Sequence, residues 1–314
     1  MNLLGIDIGG TNTKVILQSG SGDLLRRAEI PTKAGEGAGA LAARLVQLVS
    51  DWPSSDGAGI SVAGLMDLER NLVQAPNLTE FVGVDLDEAF AGFGVASIEN
   101  DVNCAVYGEW QAGAGQGTEH LAMLSLGTGV GGGLILGGEL YHGSGGIGAE
   151  LGHMTLDPDG PECPCGLRGH VESWLGSRGF VEAGREYAVA HPRSPLAEAV
   201  DGGEVPDARL LTGLAKAGCE AAREAIADRG RWLGIACANV VAVLQPDLIL
   251  VAGGSARCGD LLLGPALEEY DRRCMEAARG TVEVRLAGLG VESAAIGAAL
   301  LARANLDADH ARTR

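Results

Sequence analysis

The sequence predicts an α/β protein built as two lobes, and three observations carry that prediction. Short apolar runs of strand type alternate with amphipathic helical patterns along the chain. A unit of strand, Gly-Thr turn and strand near the start recurs about 120 residues later, as expected of two lobes on one plan. The length of 314 residues gives room for two such lobes. The expected division places residues 1–115 in an N-terminal lobe and 116–314 in a C-terminal lobe, with the final helix over 293–304 free to pack back on the first.

In order along the chain, Leu3 to Ile8, Thr13 to Gln18 and Asp23 to Ile30 read as three strands joined by glycine turns. Leu41, Leu45, Leu48 and Val49 have the spacing of an amphipathic helix over 39–52. Ile60 to Ala63 and Val95 to Ile98 are strands, and a helix follows from Val102 to Ala112, capped by Asn100 or Asp101. Leu121 to Leu126 and Gly132 to Leu136 are the strands of the second unit. Gly160, Pro161, Pro164, Gly166 and Gly169 make 160–170 irregular. Helices over 177–190, 207–217 and 219–243, a strand at Leu248 to Ala252, a helix over 260–277, a strand over 282–287 and a helix over 293–304 complete the pattern. The polar tail Asp307 to Arg314 is expected to fray.

Lys and Arg number 23 against 41 Asp and Glu, a net charge of −18, so no basic field is present to hold nucleic acid or an anionic membrane surface. The first strand carries Asp7 and stops at Gly9-Gly10, unlike a signal peptide, and no uninterrupted apolar run approaches the ~18 residues of a membrane helix. The expectation is a cytoplasmic protein with no nucleic-acid or membrane partner. Cys104, Cys219, Cys237, Cys258 and Cys274 are scattered singly and read as small core residues. The 50 glycines are roughly twice ordinary usage of about 7%, and they punctuate apolar runs without periodicity. They point to tight turns and to close backbone approach.

Asp7-Ile8-Gly9-Gly10-Thr11, Gly127-Thr128-Gly129-Val130-Gly131 and Gly253-Gly254 each follow a strand. Each is either an ordinary turn or a row of backbone N–H groups that binds phosphate without Lys or Arg. On the second reading the ligand is ATP, and Asp7 holds Mg²⁺ against the same phosphates. Neither the G-x-x-x-x-G-K-[ST] nor the G-x-G-x-x-G pattern is present, so the context is a phosphate-binding hairpin.

With Glu99-Asn100-Asp101-Val102-Asn103, Leu126 to Gly133, Gly148-Ala149-Glu150-Leu151-Gly152-His153 and Cys163-Pro164-Cys165-Gly166-Leu167-Arg168-Gly169-His170-Val171-Glu172, these motifs resemble the ROK family of sugar kinases and sugar-responsive repressors over nearly the whole chain. The resemblance implies the two-lobed actin/hexokinase/Hsp70-like (ribonuclease H-like) ATPase fold with a cleft between lobes. It implies an ATP-dependent hexose kinase acting on the sugar 6-hydroxyl, glucose first, with N-acetylmannosamine or N-acetylglucosamine as alternatives. Polyphosphate-using relatives leave the donor open. A repressor of this family carries an N-terminal helix-turn-helix, whereas here Gly5-Ile6-Asp7 already begins the nucleotide lobe. A homodimer is a further implication.

The site residues follow residue by residue. Asp101 sits where an N-cap residue would, and phosphoryl transfer to an alcohol needs a carboxylate at the attacking hydroxyl. By resemblance Asp101 is that base and Asn100 orients the sugar. Glu150, His153 and Glu172 grip the sugar, and Gly64 and Asn77 match further sugar-contacting positions. Asp7, Gly9, Gly10, Thr11, Gly127, Thr128, Gly129, Gly253 and Gly254 form the nucleotide side. His153, Cys163, Cys165 and His170 have the spacing H-x9-C-x-C-x4-H, suited to a structural Zn²⁺. His170 stands where the family pattern has a third cysteine. That either closes a His2Cys2 site or weakens it, and the reading favours retained zinc.

Overall fold

The computed structural model describes residues 1–312. The chain runs β1 (Leu3–Ile8), β2 (Asn12–Gln18), β3 (Leu24–Pro31), α1 (Ala38–Leu48), β4 (Gly57–Val62), β5 (Leu65–Met66), β6 (Leu72–Gln74), α2 (Leu86–Ala89), β7 (Val95–Asn100) and α3 (Asp101–Ala112). It continues through β8 (Leu121–Leu126), β9 (Val130–Leu136), β10 (Glu139–Leu140), α4 (Val171–Leu175), α5 (Ser177–Ala190), α6 (Pro195–Asp201), α7 (Ala208–Lys216) and α8 (Glu220–Leu244). It ends with β11 (Leu248–Ala252), α9 (Asp260–Arg273), β12 (Glu283–Leu286) and α10 (Ser293–Arg312).

The fold is α/β, and two five-stranded sheets repeat one topology, in the orders β3-β2-β1-β4-β7 and β10-β9-β8-β11-β12. In the first, β1, β2 and β3 pair antiparallel, whereas β4 and β7 run parallel to β1. In the second, β9 and β10 pair antiparallel, while β8, β11 and β12 run parallel. All six residues of β4 and all five of β11 are buried, as interior parallel strands covered on both faces require.

Two compact units emerge, and their division is not a single cut after residue 115. Met1–Gly117 is joined by Gly133–Ala149 and by the chain from Gly288, while Thr118–Gly132 and Glu150–Ala287 form the second unit. Close packing explains the first grouping. A Cβ on Gly5 would lie 1.9 Å from the Ala295 carbonyl oxygen, and one on Gly59 would lie 1.9 Å from that of Ala298. Bare backbone therefore lets α10 rest on β1 and β4. A Cβ on Gly297 would fall 1.7 Å from the Cys104 oxygen, so α10 also meets α3 at near backbone contact. Glu109 of α3, fully buried, accepts from the N–H groups of Ala114, Gly288 and Leu289 at 2.8, 3.0 and 2.7 Å, fastening the approach to α10. The core of this unit gathers Ile6, Ile8, Leu41, Leu45, Phe81 and Phe90. In the second unit α8 packs on α9, α7 and α5 through an alanine-rich buried face.

The short elements β5, β6, β10, α2, α4 and α6 were not expected, and three expected helices end elsewhere. α1 stops at Leu48 rather than near residue 52, where Pro53 disfavours helical backbone at Trp52. Similarly, α9 stops at Arg273, and Cys274 is extended. α10 continues to Arg312 where a frayed tail was expected, and positions 313 and 314 of that tail lie outside the described residues. Its extension is anchored by Asn305 Nδ2 donating to the Ala96 carbonyl at 3.0 Å and Arg303 donating to that of Gly20 at 2.6 Å. Among the described residues no helix is long and apolar enough to cross a membrane.

Candidate active site

In the first unit the predicted residues collect at the carboxyl ends of three parallel strands, the usual ligand edge of such a sheet. Register pairs Ile8 with Val62 and Val62 with Asn100, so the β1 turn, Gly64 and Asn100 follow neighbouring strand ends. The turn is closed by Gly9 N–H donating to the Asn12 carbonyl at 3.1 Å. Thr32 Oγ1 donates to the Gly9 carbonyl at 2.6 Å and braces it from β3. A Cβ on Gly10 would come within 2.5 Å of Asn77 Cβ, which places Asn77 directly against the turn. Thr11, next in the turn, is exposed.

Asp7 is nearly buried, its side chain 13% exposed. Burial raises its pKa, against the pull of Lys14 and a hydrogen bond from Ser61. Ser61 Oγ donates to Oδ1 at 2.9 Å, and Lys14 Nζ stands 3.5 Å from Oδ2. Lys14 and Ser61 were not among the predicted site residues. The signal for Lys14 was available: closing the hairpin at residues 9–12 puts Lys14 opposite Asp7. Positive charge at this turn therefore comes from a side chain as well as from backbone dipoles.

At the end of β7, Asn100 is the cap of α3. Its Oδ1 accepts from the N–H groups of Val102 and Asn103 at 2.8 and 3.0 Å. Its Nδ2 donates to the Gly64 carbonyl at 2.8 Å and to Asp101 Oδ1 at 3.0 Å. Both acceptor positions and both N–H groups of the Asn100 amide are thus engaged within the protein, and the residue they steady is Asp101. Asp101 lies in the first turn of α3, where the helix dipole favours a carboxylate. Gly64 is required by proximity, since a Cβ there would lie 2.6 Å from the Gln74 carbonyl oxygen. Glu99, just before this pair, is hydrogen-bonded to His142 at 2.7 Å, and neither residue was singled out from the sequence.

In the second unit, Gly127-Thr128-Gly129 and Gly253-Gly254 end adjacent parallel strands, and a Cβ on Gly253 would lie 2.4 Å from the Leu126 carbonyl oxygen. Ser177, at the start of α5, donates its N–H to the Gly127 and Thr128 carbonyls at 3.0 and 3.2 Å. A cavity of about 440 Å³ opens beside these turns, lined also by Asp207, Arg209, Thr212 and Arg257. Neither guanidinium group was singled out from the sequence: Arg209 falls within the helix expected over 207–217, and Arg257 in the connection that follows Gly253-Gly254.

His153, Cys163, Cys165 and His170 converge, their ligand atoms all within 4.8 Å of one another. His153 Nδ1 and His170 Nδ1 are 3.3 Å apart, and Cys165 Sγ and His170 Nδ1 also 3.3 Å. Zinc–nitrogen bonds of about 2.0 Å and zinc–sulfur bonds of about 2.3 Å give tetrahedral edges of this size, so the donor set fits a single small thiophilic cation. Burial lowers the pKa of His170, as suits a neutral imidazole ligand. Burial also pushes the Cys163 thiol up to about 12, and a cation at the centre is what would draw that proton off.

The predicted sugar-gripping residues surround this centre. His153 Nε2 faces Glu150 Oε2 at 4.0 Å, the ring nitrogen not turned to the cluster. Burial raises the Glu150 pKa, with Glu172 adding to it and His153 opposing. Glu172 Oε2 accepts from Val130 N–H at 2.9 Å, and Cys163 Sγ lies 3.6 Å from its Oε1. One carboxylate therefore links the cluster to the Gly129-Val130 turn. That turn comes so close that a Cβ on Gly129 would sit 2.2 Å from Glu172.

Residues 3–305 match the family model described as the ROK family. A glucokinase of Thermotoga maritima is 33% identical over 308 residues, covering 95% of this chain and 96% of that protein. An N-acetylmannosamine kinase of Escherichia coli is 32% identical over 308 residues, covering 96% and 99%. A solved structure, a ROK family glucokinase from Streptomyces griseus in complex with glucose and AMPPNP, is similar with a TM-score of 0.85 and 30% identity, covering 97% of this chain and 100% of that one.

Proposed function

Because the chain belongs to the ROK family, we propose that it is an ATP-dependent hexose kinase that phosphorylates the sugar 6-hydroxyl, with glucose as substrate. The observation that carries this reading is the Asp101 carboxylate, steadied by Asn100 at a strand-to-helix junction on the ligand edge of a parallel sheet. There it accepts the proton of the attacking hydroxyl as the oxygen–phosphorus bond forms and ADP leaves. Asn100 holds that carboxylate, while Gly64 and Asn77 bound the sugar from the same sheet edge. Glu150, His153 and Glu172 offer further acceptors and a donor to sugar hydroxyls.

On the donor side, the N–H groups of Gly9, Gly10, Thr11, Gly127, Thr128 and Gly129 bind phosphate oxygens, and Gly253-Gly254 borders the nucleoside. Asp7 would hold Mg²⁺, which when bound shields the charge of the β- and γ-phosphates. Lys14 adds a fixed cation next to Asp7. His153, Cys163, Cys165 and His170 would hold Zn²⁺ as a structural ion that fixes the His153 ring, its outward nitrogen oriented by what it hydrogen-bonds. The family membership also supports a homodimer, which light scattering of the purified protein tests.

A coupled ADP-release assay with ATP and Mg²⁺ across glucose, mannose, fructose, N-acetylglucosamine and N-acetylmannosamine tests the activity. The expected outcome is turnover with the highest kcat/KM on glucose. A preference for N-acetylmannosamine would move the protein toward its E. coli relative, and no turnover with any sugar would defeat the kinase reading. Replacing ATP by polyphosphate, with the product read as sugar phosphate because that donor releases no ADP, settles the donor.

A further inference from the structure

We propose that Glu99 and His142 are positioning residues for Asp101, clamping the β7–α3 junction on both sides of that carboxylate and tying it to the 141–149 loop after β10. The proposal rests on the kinase reading only for the role of Asp101. The clamp itself is a matter of geometry. Glu99 Oε1 accepts from Asn100 N–H at 2.8 Å and from Asn103 Nδ2 at 3.0 Å, one residue before Asp101 and two after it. Glu99 Oε2 meets His142 Nε2 at 2.7 Å. His142 also hydrogen-bonds the Leu140 backbone, so the ring is oriented from the end of β10.

A carboxylate only 16% exposed is costly to keep unless it is paired, and a well-packed apolar side chain would serve stability at least as well. This one spends Oε1 on the residues either side of Asp101 and Oε2 on His142. Seven residues beyond His142 the chain passes directly into Glu150, so the same loop leads to the sugar-gripping segment.

The pair is open to solvent. A cavity of about 270 Å³ opens onto it, and its charged walls are Asp67 and Arg70 from the β5–β6 turn. Arg70 is itself paired with Asp87 at 2.5 Å. The α10 residues on the wall, Leu301 and Asn305, carry no charge, and the acids close by in sequence are Asp101, beside Glu99, and Glu139, three residues before His142. The hydrogen bond that His142 donates to Glu99 raises the His142 pKa against the effect of burial. For Glu99, burial works upward, but the bonds from His142 and Asn103 outweigh it and lower the pKa. A raised histidine pKa means that the clamp is fully charged below the ordinary value of 6.5 and loses its charge as pH rises through the folded-state value.

The test uses the full chain and two variants, His142→Gln and Glu99→Gln, with steady-state kinetics and hydrogen–deuterium exchange of the peptide spanning residues 96–106. Each variant is expected to lower kcat about tenfold with KM for the sugar within about twofold, the signature of a misplaced reacting group rather than of lost binding. The alkaline fall in wild-type kcat that follows His142 deprotonation is expected to vanish in His142→Gln. Exchange at 96–106 is expected to quicken about tenfold while the rest of the chain keeps wild-type protection. Wild-type kcat, or a kcat loss accompanied by faster exchange everywhere, would overturn the proposal. If the wild type turns over no sugar, the kinase reading falls, and the exchange measurement still decides whether the clamp exists.

Discussion

Asp101 has its orientation set by an amide with no hydrogen-bonding capacity left over, so a change at Asn100 acts through the acid. Asn100→Ala is expected to lose an N-cap, costing about 1 kcal/mol, and to lower kcat by more than that stability loss explains, as kinetics beside thermal melts will read. Asp7 is the opposite kind of residue, held at a cost. Its pKa is raised by burial, so its contribution to stability is present below the ordinary value of 3.8 and lost as pH rises through the folded-state pKa; at neutral pH the charged form opposes folding. Asp7→Asn is therefore expected not to lower Tm while abolishing ATP-dependent turnover, the pattern of a group kept for function. At the metal cluster, His170→Cys is expected to retain stoichiometric zinc and His170→Ala to lose it, measured by elemental analysis of protein purified without chelator. Wild-type protein free of zinc would remove the metal from the account.

At the scale of elements, the glycine surplus divides into two uses. Some glycines make the turns at the strand ends; others let helices meet strands and one another at backbone distance, as Gly5, Gly59 and Gly297 do under α10. Gly297→Ala is expected to destabilise by about 1–3 kcal/mol through overpacking against Cys104, although alanine is the better helix former. Glu109→Ala is expected to cost about 3 kcal/mol, since the N–H groups of Ala114, Gly288 and Leu289 lose the buried carboxylate that accepts all three. Denaturant titration reads both. The sheets, the α3 cap region and the glycine turns were legible in sequence because each rests on local pattern: buried strands, Asn before a helix, Gly after a strand. What escaped was set by tertiary pairing. Lys14 has no motif of its own, and its signal comes only from following the predicted hairpin through to its register with Asp7. His142 lies 43 residues from Glu99, and no spacing rule connects them. The helical course of the polar stretch beyond Asp307 follows from anchors that Arg303 and Asn305 find on other elements, which a reading of the tail alone does not contain.

At the scale of the molecule, on the kinase reading a chain of net charge −18 would hold the phosphates of ATP by confining positive potential to a few points. These are the turn N–H groups, Lys14 beside Asp7, and Arg209 with Arg257 at the cavity of the second unit. The two sheets repeat one strand order, and each carries a glycine turn at the carboxyl end of its leading parallel strand. One repeated strand order thus supplies both glycine turns, while Asp101 and the His/Cys cluster each belong to one unit alone. The most direct test is Asp101→Asn in the coupled ADP-release assay with glucose, ATP and Mg²⁺. The account predicts glucose binding within about threefold of wild type and a kcat lower by about a thousandfold or more. A kcat near wild type would contradict it.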